Sequence, residues 1–234
     1  GHVPKRIPVI IHNHTAESNG FVSWAPRRME LYTTPPQNIY PHDWLEQLAI
    51  HEYRHVVQVD KINRGFTRFL SIIGGEQVPG AFSSMLGSWF LEGDAVYAES
   101  MLSPSGRGRL PYYEMEMRSR ALGGEPFYRF DEALLGSYRK NVPSYYDYGY
   151  QMVAYARLKK GNGLWSRTID NVGKYPFSLF PVHFTLRKEG WNKRRLYEES
   201  FEELTRRWKI QDSLEHFIQP EYLSGGADRL YTRY

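Results

Sequence analysis

The chain reads Asp-Trp-Leu-Glu-Gln-Leu-Ala-Ile-His-Glu-Tyr-Arg-His-Val-Val-Gln-Val-Asp-Lys at residues 43–61. Its apolar residues recur at helical spacing, which predicts a helix over this stretch. Asp43 and Glu46 stand at the spacing of a capping box, where the positive end of the helix dipole favours acids. The apolar stripe continues through Glu52 and His55, so this helix brings polar side chains to its buried face. Buried polar groups need a partner.

Within this helix, His51, Glu52 and His55 form the pattern His-Glu-x-x-His. Side chains four positions apart lie on one face of a helix, so the two histidines can bind one cation, and Glu52 can reach a water beside it. The chain has no cysteine, so any metal must lie on His, Asp or Glu. We therefore expect one Zn²⁺ ion on His51 and His55, with Glu52 as the general base of a hydrolytic reaction.

A catalytic zinc ion usually has three protein ligands, so a third must come from elsewhere in the chain. A second long helix is expected from Ser83 to Leu102, and Glu92 lies on its apolar stripe beside Gly93, where another backbone can approach closely. Glu92 is therefore the expected third ligand. Glu99 shares that face and is either an alternative ligand or a partner of one histidine. Asp60 and Asp94 are weaker candidates because their geometry is less suitable. Four histidines are also weaker candidates, since single histidines are usually structural or surface residues: His12, His14, His42 and His183.

The rest of the chain predicts an α+β fold with one catalytic domain over residues 1–214. Residues 1–40 contain strand-like runs separated by turn residues and predict a small antiparallel sheet, of which Met29 to Thr33 could be an edge that pairs with an extended substrate. Residues 41–214 form a helical portion, because helical patterns recur between Gly and Pro residues. Residues 215–234 read as a C-terminal tail or a linker to a fused domain. Further helices are expected at about 66–73, 112–122, 144–159, 178–188 and 195–210.

Composition and charge bear on three further properties: nucleic-acid binding, membrane spans and the lining of the cleft. The 30 basic and 26 acidic residues are mostly interleaved, which does not favour nucleic-acid binding. No run of about 18 apolar residues occurs, so we expect no membrane span. Aromatic residues make up 15% of the chain, and this predicts a cleft rich in Tyr and Trp.

Two motifs together resemble the gluzincin peptidases. Besides His-Glu-x-x-His, residues 89–97, Trp-Phe-Leu-Glu-Gly-Asp-Ala-Val-Tyr, are similar to the W-x-x-E-G-x-A-x-Y helix of thermolysin-like "peptidase MA-like" domains. In those domains the Glu before the Gly is the third zinc ligand, which here is Glu92. Residues 145–155 resemble the helix whose tyrosine donates a hydrogen bond to the oxyanion of the reaction. That match assigns the role to Tyr146, with Tyr145 and Tyr148 as alternatives.

The resemblance spans roughly residues 20 to 210 and implies a zinc metallopeptidase with a peptide or protein substrate. It also implies a bacterial protein that is exported to the periplasm, cell surface or medium, and that can be fused to a β-propeller. Two features depart from the family pattern. No acid follows Glu92 by four residues, as a thermolysin-type partner of a zinc histidine would, and no motif for a free substrate amino terminus is present.

Two other functions are compatible with the same residues. A catalytically silent domain of this fold could bind peptide or glycan in its aromatic cleft, and a zinc hydrolase could act on another amide or ester. The intact Glu52 favours catalysis, because a binding domain has no need of a general base beside the two histidines.

Overall fold

Three short strands come first along the chain, and a long series of helices follows them. The computed structural model describes residues 2–36, 44–104, 106–178 and 180–214. The expected α+β class is confirmed. The predicted cap at Asp43 and the predicted tail at residues 215–234 lie outside the described residues.

The strands are β1 (Val9–His12), β2 (Ser18–Trp24) and β3 (Arg27–Thr33), in the spatial order β1-β3-β2. β2 and β3 are antiparallel, as predicted, but β1 and β3 are parallel, with Val9 opposite Met29. Three strands joined by short connections alternate in direction, so the first and third run the same way, and the central position of β3 makes their pairing parallel. The prediction of an entirely antiparallel sheet was therefore wrong for β1. The interpretation of Met29 to Thr33 as an edge was also wrong, because β3 is paired on both sides.

Ten helices follow the sheet in the described parts of the chain, together with two 3₁₀ turns at Ser84–Leu86 and Arg107–Arg109. Their bounds are α1 (Trp44–Ile62), α2 (Gly65–Gly74), α3 (Gln77–Ser83), α4 (Ser88–Leu102), α5 (Pro111–Leu122), α6 (Phe130–Leu135), α7 (Tyr145–Lys160), α8 (Gly163–Lys174), α9 (Pro181–Lys188) and α10 (Lys193–Leu214). None of these helices combines the length and apolarity that crossing a bilayer requires.

The expected second long helix begins later than predicted. Gly87 has a φ of +81°, which a helix cannot accommodate, so α4 starts at Ser88 and the preceding residues form α3 and a 3₁₀ turn instead. α8 was not predicted, although it buries Leu164 and Trp165 completely. Its apolar residues Leu164, Trp165, Ile169 and Val172 recur at helical spacing, so the sequence does carry the pattern of an amphipathic helix.

Two packing features position the site. α4 and α7 cross at Gly93 and Gly149, where a Cβ on Gly93 would lie 2.2 Å from the Gly149 carbonyl carbon. This close crossing brings Glu92, on α4, to the same side as the first turn of α7. On the other side, Val56 of α1 packs in one buried cluster with Met29 and Leu31 of β3, which fixes the sheet against α1.

Candidate metal centre

α1 and α4 bring His51, His55 and Glu92 together. The Nε2 atoms of His51 and His55 lie 3.1 Å and 3.3 Å from the same oxygen, Glu92 Oε2. One ligand atom from each residue can be chosen so that all three lie within 4.8 Å of one another. Two atoms bound to a tetrahedral zinc ion at about 2.1 Å lie about 3.4 Å apart, so this spacing fits zinc. The donor set of two imidazoles and one carboxylate, with a further position open, also fits zinc.

Each imidazole is held in place through its other ring nitrogen. His51 Nδ1 lies 3.0 Å from Glu99 Oε2, and His55 Nδ1 lies 2.9 Å from Gln58 Oε1. When Nδ1 donates to these acceptors, Nε2 is left with a lone pair that faces Glu92. Both rings thus have the orientation that metal binding requires, and the acceptors at Nδ1 favour the tautomer that leaves Nε2 able to bind a metal.

Glu99 is therefore a partner of His51 in this structure, which is one of the two roles that the sequence left open for it. It stands seven residues after Glu92, two helical turns along. The family pattern has an acid four residues after this ligand to hold a histidine, and Glu99 holds His51 here instead. Its side chain is completely buried. Although burial opposes ionisation, hydrogen bonds from His51 and Arg107 lower the pKa of Glu99 to about 2.

Arg107 was not identified from the sequence. It binds Glu99 through its backbone N–H (3.0 Å), Nε (2.7 Å) and Nη2 (3.0 Å). Arg107 Nη2 also lies 2.8 Å from His51 Nδ1. His51 Nδ1 cannot donate a proton to Glu99 and accept one from Arg107 at the same time. We assign a proton to Nδ1, which donates it to Glu99. The loop reaches this position because Gly106 packs against α4, where a Cβ would lie 2.2 Å from Ser100 Cα. The Gly-Arg-Gly run at residues 106–108 was the available signal.

Asp94 is not a ligand in this arrangement. It is completely buried and receives hydrogen bonds from Arg54 Nε (2.8 Å), Arg157 Nη2 (2.7 Å) and Gln58 Nε2 (2.9 Å). Burial opposes ionisation, but the two guanidinium groups lower the pKa of Asp94 below its ordinary value. By fixing Gln58, this carboxylate fixes the partner of His55.

Glu52 lies beside the three candidate ligands with 5% of its surface exposed. Its side chain packs against the backbone of β2, where a Cβ on Gly20 would lie 2.9 Å from Glu52 Cγ. Burial raises the pKa of Glu52, and the neighbouring His55 and His51 partly offset that effect. A carboxylate with a raised pKa is a stronger base than an exposed one.

Of the three tyrosines considered as hydrogen-bond donors, Tyr146 lines the candidate site. Its ring centroid lies 6.3 Å from that of His51, and the Arg107 guanidinium lies 5.6 Å from it. Burial, together with the Glu92 carboxylate, raises the pKa of Tyr146, so its phenol stays protonated. Tyr148 is completely buried against Tyr197 and Phe201. Tyr145 packs against the largest buried apolar cluster, which includes Trp89, Phe90 and Trp165.

The remaining candidates lie elsewhere. His12 binds Glu30 at 2.7 Å on the sheet, and Asp60 binds His2 at 2.9 Å and Arg27 at 3.1 Å. His14 is exposed after β1, and His183 is exposed on α9. His42 lies outside the described residues.

His51, Glu52, His55, Glu92 and Tyr146 all line one cavity of about 570 Å³. One of its walls is β2, the edge strand of the sheet, which contributes residues 18–22 and Trp24. In the described part of the chain, β2 pairs with β3 alone. Its other edge therefore keeps backbone groups that can bond to an extended chain. The helices contribute the remaining lining, which includes His51, Glu52, His55, Glu92 and Tyr146.

Comparison with protein-family models, with curated proteins and with solved structures gives no match to this chain. The resemblance to gluzincin peptidases therefore stays a prediction from the motifs. A function can be assigned only from the chemistry and geometry of the site.

Proposed function

We propose that this chain is a zinc-dependent metallopeptidase that hydrolyses peptide bonds. The observation that carries the proposal is the convergence of His51, His55 and Glu92 beside the buried carboxylate of Glu52, in a cavity bounded by a strand edge that pairs with no other described segment. Two imidazoles and a carboxylate with an open fourth position are the donor set of a catalytic zinc ion.

His51, His55 and Glu92 would hold the ion, with Glu99 and Gln58 fixing the two imidazole rings. Bound zinc supplies Lewis acidity, which polarises a carbonyl oxygen and makes a nearby water more acidic. The hydrogen bonds at the two Nδ1 atoms keep the rings from turning away, so the ligand geometry is set before substrate arrives.

Glu52 is the proposed general base. Its carboxylate takes a proton from the attacking water and then donates that proton to the leaving amine, so that the protonation state of the side chain is restored. Its position against Gly20 holds it between the candidate ligands and β2. The same packing excludes bulk water from one side of the carboxylate.

Tyr146 is the proposed hydrogen-bond donor to the oxygen that gains negative charge in the reaction. Its place on the cavity wall and its raised pKa support this role, because a donor must keep its proton. Tyr148 has no access to the cavity, since it lies in the core.

The edge of β2 that no other described segment pairs with favours a peptide over another amide or ester. An extended peptide can add to an exposed strand edge through backbone hydrogen bonds, and side-chain pockets then give specificity. A peptide on β2 would pass Gly20, and therefore Glu52, at a point where no side chain of the strand intervenes. Small esters or amides have no use for such an edge.

Cleavage of a peptide library by the Glu52→Gln variant tests the proposal. We expect its kcat to fall at least about a hundredfold, because general base catalysis contributes that much or more, while zinc content stays unchanged. Glu46→Gln is the matched control, since Glu46 is exposed on the same helix. A Glu52→Gln variant that cleaves at the wild-type rate, or a zinc-loaded wild type that cleaves no member of the library, would contradict the proposal.

A further inference from the structure

α2 exposes a continuous apolar stripe. Phe66, Phe69, Ile72 and Ile73 recur at spacings of three, three and one residues, which places them on one side of the helix. All four are exposed, Ile72 at 78% and Ile73 at 76%. Thr67 is the one fully buried residue of this helix. α2 therefore packs on the domain by its polar side and turns its apolar side outward.

The stripe extends onto the segment between α8 and α9. The ring of Phe66 lies 5.7 Å from that of Phe69 and 5.8 Å from that of Phe177, which is itself 68% exposed. Phe180 and Phe184 follow along the chain and are also exposed. We call Phe66, Phe69, Ile72, Ile73 and Phe177 the α2 patch. An apolar surface of this kind usually marks an interaction site.

The two chain segments that form the α2 patch carry basic residues and no acid. Residues 64–75 and 174–188 contain no Asp or Glu, although 27 residues of this chain would on average contain about three. Exposed basic residues occur in both segments: Arg68, Lys174, Arg187 and Lys188. Of the acids that flank these segments, Asp170 pairs with Arg64 at 2.6 Å and Glu189 with Arg167 at 2.7 Å, while Glu76 accepts a hydrogen bond from the Arg27 backbone N–H at 3.1 Å. The partner of this surface should therefore be apolar and anionic.

We propose that the α2 patch is a membrane-docking surface, which inserts its side chains among the lipids of an anionic bilayer without crossing it. Phenylalanine and isoleucine side chains can enter the boundary between headgroups and acyl chains, while the flanking Arg and Lys side chains contact anionic headgroups. A second copy of the chain fits less well, because a two-fold contact through this patch would oppose like charges. A bilayer supplies the hydrocarbon and the negative charge together.

Vesicle sedimentation tests the proposal with the whole chain. We expect binding to vesicles of phosphatidylcholine with 30% phosphatidylglycerol, and at least tenfold weaker binding to pure phosphatidylcholine. Ile72→Ser with Ile73→Ser should weaken binding to the anionic vesicles at least about tenfold. The two isoleucine side chains are transferred from water into the bilayer on binding, and the serine side chains lack this apolar surface. The matched control is Leu135→Ser with Leu158→Ser, which removes two exposed leucines outside the patch and should change nothing.

A fluorescent label separates insertion from adsorption by net charge. The chain has no cysteine, so Ile73→Cys can carry one environment-sensitive fluorophore. Its emission should shift to the blue on anionic vesicles, whereas the same label on Leu135→Cys should not shift. The proposal is overturned if the wild type binds polyglutamate but no vesicles, if Ile72→Ser with Ile73→Ser binds vesicles like the wild type, or if those substitutions dissociate a dimer in ultracentrifugation.

Discussion

His51 and His55 each direct one ring nitrogen to Glu92 and the other to a fixed acceptor. The acceptors differ in origin, since Glu99 follows Glu92 on α4 and Gln58 follows His55 on α1. Each acceptor is fixed in turn by a charged group: Glu99 by Arg107 and Gln58 by Asp94. A ring that turned away would break a buried hydrogen bond, and this is unfavourable. The side chains around the site thus serve to hold the two imidazoles.

Tyr146→Phe tests the proposed donor at the level of one hydroxyl group. We expect kcat to fall at least about tenfold with little change in KM, because the hydrogen bond forms only as charge develops on the substrate oxygen. Steady-state kinetics on a cleaved peptide measures both values. Tyr145→Phe removes the neighbouring hydroxyl and should leave kcat unchanged. A loss smaller than tenfold in Tyr146→Phe would remove this residue from the mechanism.

The sequence identified the candidate ligands because their spacing carries the information. His51, Glu52 and His55 are neighbours on one helix, so local geometry alone brings them together. The roles of Arg107 and Gln58 could not be predicted in this way. Arg107 reaches Glu99 only because the loop after α4 folds back onto that helix. Gln58 gains its role from Asp94, on a helix that is distant in sequence.

At the scale of elements, the crossing of α4 and α7 sets the geometry of the site. Gly93 and Gly149 let the two backbones touch, and a Cβ on Gly149 would lie 2.0 Å from the Trp89 carbonyl oxygen. Glu92 precedes one glycine by one residue, and Tyr146 precedes the other by three. The crossing therefore places a candidate ligand and the proposed donor at one cavity. The order of the strands has a similar effect, since it makes β2 the edge, which strand patterns alone did not predict.

Gly93→Ala should destabilise the fold by about 3 kcal/mol, because the added methyl group meets backbone that cannot move aside without separating the helices. The free energy of unfolding in urea measures the effect. Gly163→Ala is the control, since its Cβ would meet only the end of the flexible Arg167 side chain. That variant should change stability by less than about 1 kcal/mol. Equal effects of the two substitutions would show that α4 and α7 do not need this close approach.

Asp147, a partly buried acid on α7, should make the stability of the whole molecule depend on pH. Burial raises the pKa of Asp147 to about 6, above the value of about 4 in an unfolded chain. Between these two values the folded protein holds a proton that the unfolded chain releases. The contribution of Asp147 to stability therefore falls as the pH rises from about 4 to about 6, and it stays lower above that range.

Asp147→Asn should remove this loss. We expect the variant to be more stable than the wild type by about 1 kcal/mol at pH 7.5, after allowance for partial solvent exposure and for the lost charge at the helix amino terminus. The two proteins should have similar stability at pH 3.5, where Asp147 is protonated in both states. Urea unfolding at both pH values measures the difference. A gain that is the same at both pH values would contradict the pKa assignment.

Zinc binding at His51, His55 and Glu92 is the central claim, and a competition titration tests it most directly. Metal-free protein is titrated with Zn²⁺ in the presence of a chromogenic chelator, for the wild type, His55→Ala, Glu92→Ala and the control His12→Ala. We predict one tightly bound ion per chain in the wild type and in His12→Ala, and affinity lowered at least about a hundredfold in the other two variants. A wild type that binds no zinc, or a His55→Ala variant that binds it equally well, would contradict the account.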